Sequence, residues 1–205
     1  YNQFWMADRD WDNRTSLITD PPNGQFPAMT PAGTERRARQ DAERDAARQK
    51  RARAEGPESL PLTERCVSYG APRTGTGYNS YLQITQSPQA VVILQEMIHD
   101  ARVVPMDGRP HLPQGIRQLH GDPLGSWDDD TLVIETTNFV DGFQRSTPGV
   151  RLTERYTRIG PATLEYRFTL DDPTVWTRPW TATFRWDLDD SQYELVEYSC
   201  HEGNY

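Results

Sequence analysis

The stretch GDPLGSWDDDTLVIETTNF at residues 121–139 constrains this chain more than any other. It reads as one strand, a tight acidic turn at Asp128, Asp129 and Asp130, and a second strand rich in β-branched residues. That hairpin sets the register of the later strands. From residue 131 to 200, apolar and polar residues alternate with period two between short turns. In residues 162–170, Leu164, Tyr166, Phe168 and Leu170 fall on one face, with Thr163, Glu165, Arg167 and Thr169 on the other. In residues 180–188, Trp180, Ala182, Phe184, Trp186 and Leu188 alternate with Thr181, Thr183, Arg185 and Asp187. Residues 193–200 close the set. The expected fold is mainly β: an antiparallel meander forming a lipocalin-like barrel or a curved sandwich. Tyr166, Phe168, Phe184 and Trp186 are then expected to line a cavity for a small apolar or aromatic molecule.

The rest of the chain divides into an arm, a helix and the start of the sheet domain. Residues 1–33 read as an extended N-terminal arm with Phe4, Trp5 and Trp11 as anchors and a stiff turn at Asp20-Pro21-Pro22-Asn23-Gly24. Residues 34–56 read as a charged helix ending at Gly56-Pro57, with alanines as its only apolar residues. Residues 34–55 carry eight basic and five acidic side chains, a local +3 against a chain total of -8, so the remainder carries -11. Such a helix is either a solvated element held by i,i+4 ion pairs or a docking element for an acidic partner, another copy included. Residues 57–205 form the β domain, 205 residues in all being enough for one core plus an extension. Within it, the glycine-rich residues 70–80 lead into a strand, not a helix, which rules against a phosphate cradle. Strands are expected at residues 81–85 and 90–97; residues 99–105 continue the second or come after a bend, and residues 110–120 form a loop.

Composition removes several function classes. A net charge of -8 argues against a nucleic-acid partner, which needs a basic face. No apolar run approaches the roughly 20 residues of a membrane span. The chain begins with Tyr1, which suggests a processed or partial chain, and a secreted protein would have lost its signal peptide.

Candidate chemistry comes from polar residues on apolar faces, since burial without a partner is costly. Glu154 shares parity with Val150, Leu152 and Tyr156; Gln95 and His99 share it with Val91, Ile93 and Met97; Glu135 shares it with Val133. His99 and Glu154 would form an acid–base pair inside the barrel, with Arg102 as the anion partner. The chemistry would be cofactor-free isomerisation, elimination or hydration. The plainer alternative has Glu154 paired with an arginine such as Arg102 or Arg158, plugging the barrel end. His111 and His120 are weak metal candidates with His99, because their spacing matches no compact metal motif, so no metal is expected. The three aspartates lack the ligand pattern of a calcium loop, and no G-x-S-x-G elbow is present. Cys66 and Cys200 are one disulfide or two buried thiols. The other functional reading is a structural subunit of an extracellular or cell-envelope assembly, self-associating through residues 1–56.

Several segments resemble a large, poorly characterised family of secreted proteins from Gram-negative bacteria. They are RTSLITDPPNGQFPAMTPAG at 14–33, RCVSYGAPR at 65–73, HDARVVPMDGRPHLP at 99–113, GSWDDDTLVIETTNF at 125–139, LTERYTR at 152–158 and DDPTVWTRPWT at 171–181. The run GxWxxDTLVIETTNF is the most specific of them. The resemblance implies an exported, periplasmic or surface-exposed protein, and with it a Cys66–Cys200 disulfide. It implies no established activity, so no catalytic residue is carried over. His120 stands where the family pattern has a bulky aromatic residue.

Overall fold

Period-two alternation lets a strand bury one face and solvate the other, and two sheets meet over the buried faces. A computed structural model describes residues 13–51, 56–70, 72, 79–189, 195 and 197–200. Nine strands and one α-helix occur among them. In chain order these are β1 (Ile18–Asp20), α1 (Pro31–Arg51), β2 (Leu82–Gln86), β3 (Ala90–Gln95) and β4 (Ala101–Pro105). Next come β5 (Asp122–Asp128), β6 (Thr131–Thr137), β7 (Arg151–Arg158), β8 (Thr163–Asp171) and β9 (Trp180–Asp187). One antiparallel sheet has the order β1-β9-β8-β7-β6-β5, the other β2-β3-β4. Among the described residues no ladder joins β1 to β5 or one sheet to the other, so no closed barrel forms. The arrangement is sandwich-like. Val91, Ile93 and Val104 of the small sheet share one core with Ile134, Leu152, Tyr166 and Leu170 of the large one.

The hairpin at residues 121–139 forms as its sequence suggests. Asp128 pairs with Thr131, and Asp129 in the two-residue turn takes φ +49°, a conformation that aspartate tolerates. Gly125 of that hairpin is where the sheets touch. A Cβ there would lie 2.3 Å from Met106 Sδ and 3.0 Å from Val104 Cγ1, so even a methyl group would have to displace the Met106 side chain.

Parity holds on β7, where Leu152, Glu154 and Tyr156 are all buried. On β6 the inward face is Leu132, Ile134 and Thr136, which corrects the expectation for Glu135. Glu135 points outward with Val133, 3.7 Å from Arg151. Residues 193–200 add no strand among those described: Leu195 and residues 197–200 are irregular, and 193, 194 and 196 lie outside the described set.

The arm packs on its own sheet from residue 13 onward. β1 pairs with β9, Thr19 Oγ1 lies 2.9 Å from Thr183 Oγ1, and Phe26 stacks on Trp176 at 5.5 Å and meets Trp180 edge-on at 4.9 Å. Phe4, Trp5 and Trp11 lie outside the described residues, as do residue 71 and residues 73–78 of the glycine-rich loop. Helix α1 starts earlier than residue 34. Thr30 Oγ1 accepts the Gly33 N–H at 2.9 Å, and Pro31 occupies a first-turn position whose N–H would be orphaned anyway. After its first turns α1 is almost wholly exposed, with Asp41 between Arg37 and Arg44 at 3.8 and 3.9 Å. No described helix is long and apolar enough to cross a membrane.

Candidate active site

β4 and β7 bring opposite charges together between the sheets. Arg102 alternates inward with Val104, and Glu154 inward with Leu152 and Tyr156. Both head groups are excluded from water, and Arg102 Nη2 lies 2.6 Å from Glu154 Oε2. Two charges cannot be buried unless paired and further hydrogen-bonded. Tyr156 and Tyr166 hydroxyls each donate to Glu154 Oε1 at 3.0 Å, and Arg102 Nη2 donates to Thr136 Oγ1 at 2.5 Å. Oε2 is therefore met by charge rather than by a directed hydrogen bond. Arg102 Nε and Nη1 have no hydrogen-bond partner among the described residues. Burial alone would lower the Arg102 pKa, but the proximity of Glu154 turns the net direction upward. Burial, and then the Glu154 charge, push Tyr156 and Tyr166 well above the ordinary tyrosine value.

Next to this pair is a second polar group. Ser68 donates to Asp100 Oδ2 at 3.0 Å, and its Oγ lies 2.8 Å from His120 Nε2. The Tyr69 N–H also bonds Asp100 Oδ2, at 2.8 Å. Because the single Ser68 hydrogen goes to Asp100, the network assigns Nε2–H to His120, donating to Ser68, and leaves Nδ1 as the basic nitrogen. Burial lowers the His120 pKa; Asp100 opposes this and Arg102 adds to it. The imidazole is therefore neutral near pH 7. Ser68, His120 and Asp100 are the residue types of an acyl-transfer triad, but here the hydroxyl proton is committed to the carboxylate. His120 is thus no base for Ser68.

A third group sits two residues on. Fully buried Asp122 opens β5; its Oδ2 accepts the Leu112 N–H at 2.8 Å and lies 3.1 Å from His111 Nδ1, while Arg109 Nη2 is 3.4 Å from Oδ1. His111 and His120 therefore go to different carboxylates. Among the described residues no three His, Cys, Asp or Glu side chains converge as metal ligands.

Of the expected catalytic residues, Arg102 and Glu154 meet and His99 stands apart. β3 ends at Gln95, and Ile98 and His99 both take positive φ (+60° and +52°), which breaks the parity and turns His99 outward to solvent. Arg158 is bound to the Gly160 and Pro161 carbonyls instead of Glu154. The four aromatic residues come together, with Tyr166 stacked on Trp186 at 4.5 Å and lying 5.8 Å from Phe184, and Phe168 stacked on Phe184 at 6.1 Å. They pack against one another as core. Cys66 and Cys200 are disulfide-bonded, two residues from Ser68. Sequence reasoning missed Ser68, Asp100 and Asp122. Their one signal was adjacency, Asp100 following His99 and Asp122 following His120 by two. Compared with known proteins, the chain matched no family model, no curated protein and no solved structure.

Proposed function

We propose that this protein binds a small, largely apolar or aromatic molecule carrying a carboxylate or carbonyl oxygen, and moves a proton on it at His120 without a cofactor. The observation that carries this reading is the Arg102 head group: a buried guanidinium whose Nε and Nη1 carry three N–H groups with no acceptor among the described residues, beside a half-buried, neutral imidazole. Glu154, Tyr156 and Tyr166 hold the guanidinium in place, so an acceptor oxygen admitted between the sheets to its unpaired edge meets donors that are already oriented. Ser68 and Asp100 fix the His120 ring, and Nδ1 is the base. The surroundings suit an apolar ligand. Val67 and Tyr69 flank Ser68, Leu119 precedes His120, and each of the three is about half exposed. This reading keeps acid–base chemistry and Arg102 but moves the proton from His99 to His120. Export to the periplasm or cell surface fits the disulfide and the family resemblance.

The test is a thermal-shift panel of benzoate, phenylacetate and acetophenone on the wild type and His120→Gln. A ligand at a hundredfold excess over its Kd adds about 2.7 kcal/mol to stability. That is a shift of several degrees for a chain of this size. Stabilisation of the wild type that is reduced in His120→Gln supports the site. A panel that leaves the wild type unmoved, together with a native mass showing no copurified molecule, overturns it.

A further inference from the structure

The Asp122 group takes no part in that reading, and its geometry points to a ligand of its own. We propose that Arg109 and His111, both held by Asp122, form a separate site for a small oxyanion that retains one O–H, hydrogen phosphate being the simplest. The assignment starts at Asp122. An ionised carboxylate only accepts hydrogen bonds, so the His111 nitrogen 3.1 Å from Oδ2 is the one that carries hydrogen. In the neutral ring the other nitrogen, Nε2, is then the acceptor, on a side chain that is 24% exposed. Arg109 reaches the other oxygen of the same carboxylate through Nη2, with its side chain 42% exposed. Its remaining N–H groups have no partner among the described residues. One carboxylate, one oxygen each, thus anchors both the acceptor-bearing ring and the cationic donor fork.

The segment that carries them is irregular yet firmly held. Asn138 Nδ2 donates to the Leu112 carbonyl at 2.8 Å, and Arg117 Nη1 donates to the carbonyls of Phe139 at 3.0 Å and Pro148 at 2.7 Å. Gln118 bridges to Phe139. Long irregular segments pinned in this way position binding groups rather than merely connect strands. The complementarity also selects among anions. Hydrogen phosphate offers an O–H to Nε2 and anionic oxygens to Arg109. Sulfate has the same charge and shape but would set a lone pair against a lone pair.

The test records long-range 1H–15N imidazole spectra of the full chain at about pH 8, where an ordinary imidazole is neutral. His111 is assigned from His111→Gln, and inorganic phosphate and sulfate are titrated at matched ionic strength. The expected result is a saturable shift of the His111 signals with phosphate, none with sulfate, and a loss of phosphate affinity of about tenfold or more in Arg109→Gln. An equal response to both anions, the same shift at solvent-exposed His99, or no response overturns the proposal. None of these outcomes depends on His120 or Arg102, so the two sites stand or fall separately.

Discussion

A guanidinium and a carboxylate shut away from water are costly unless their lone pairs and hydrogens are answered; here two phenols answer Glu154 Oε1 and a threonine answers Arg102 Nη2. That network makes stability depend on pH from both sides. Tyr156 and Tyr166 have folded pKa values raised by burial and by Glu154. The folded state therefore holds protons that the unfolded state releases above about pH 10, and stability falls as pH rises past that value. His120 behaves oppositely. Its folded pKa is lowered by burial, so the unfolded state takes up a proton first, and stability falls as pH drops below about 6.5. Urea midpoints across the pH range should show both limbs, Tyr156→Phe flattening the alkaline one and His120→Gln the acid one. A profile unchanged in both variants would contradict the burial of these groups. Glu154 was legible because a strand has parity, and an ionised residue on its apolar face needs a partner. Asp100 and Asp122 were not, because they stand at a turn and at a strand start, where no period marks a side chain as buried. His99 was misplaced for the same reason: two successive positive φ angles are invisible to alternation.

At the scale of elements, the strands between residues 121 and 188 were legible from alternation almost to the residue, whereas the one expected at residues 193–200 adds none among the described residues. β1 was not: it is three residues long and exists only because β9 offers an edge. Helix α1 was legible from composition, but its packing was not, since nothing in a run of charges says where contact ends. The structure divides it. Gly33 lies so close to β8–β9 connecting residue Val175 that an added Cβ would sit 2.3 Å from the Val175 carbonyl oxygen. Gly33→Ala should therefore shift the whole helix and cost roughly 1–3 kcal/mol in denaturant unfolding. Ala47 is exposed on a stretch with no apolar stripe. Ala47→Pro should remove helical circular dichroism yet change global stability by no more than about 0.5 kcal/mol. If the proline variant unfolded the sheets, the distal helix would have to be part of the core.

At the scale of the molecule, two sheets share one core without sharing a ladder among the described residues, so the backbone hydrogen bonds described do not fix how they sit together. Three other devices do: apolar burial, the Arg102–Glu154 pair, and the link from Cys66 to Cys200. The disulfide joins the segment before the small sheet to the segment after the last strand of the large one, 134 positions apart, so the chain is closed around both sheets. Closing a loop of that length restricts the unfolded chain far more than the folded one, and removing such a link typically costs about 2–5 kcal/mol. The loss should also have a place. Ser68 and Tyr69 bind Asp100 only two and three residues from Cys66, so freeing Cys66 loosens the residues that hold His120 before it disturbs β7–β9. The double variant Cys66→Ser/Cys200→Ser should therefore lose global stability in that range and show faster amide exchange at residues 68–70. Exchange in β8 should track only the global loss, because its amides lie between two paired neighbours. Exchange that quickened equally in β8 and at residues 68–70 would mean that the disulfide acts through the unfolded state alone. The hold of Ser68 and Asp100 on His120 would then be independent of the disulfide.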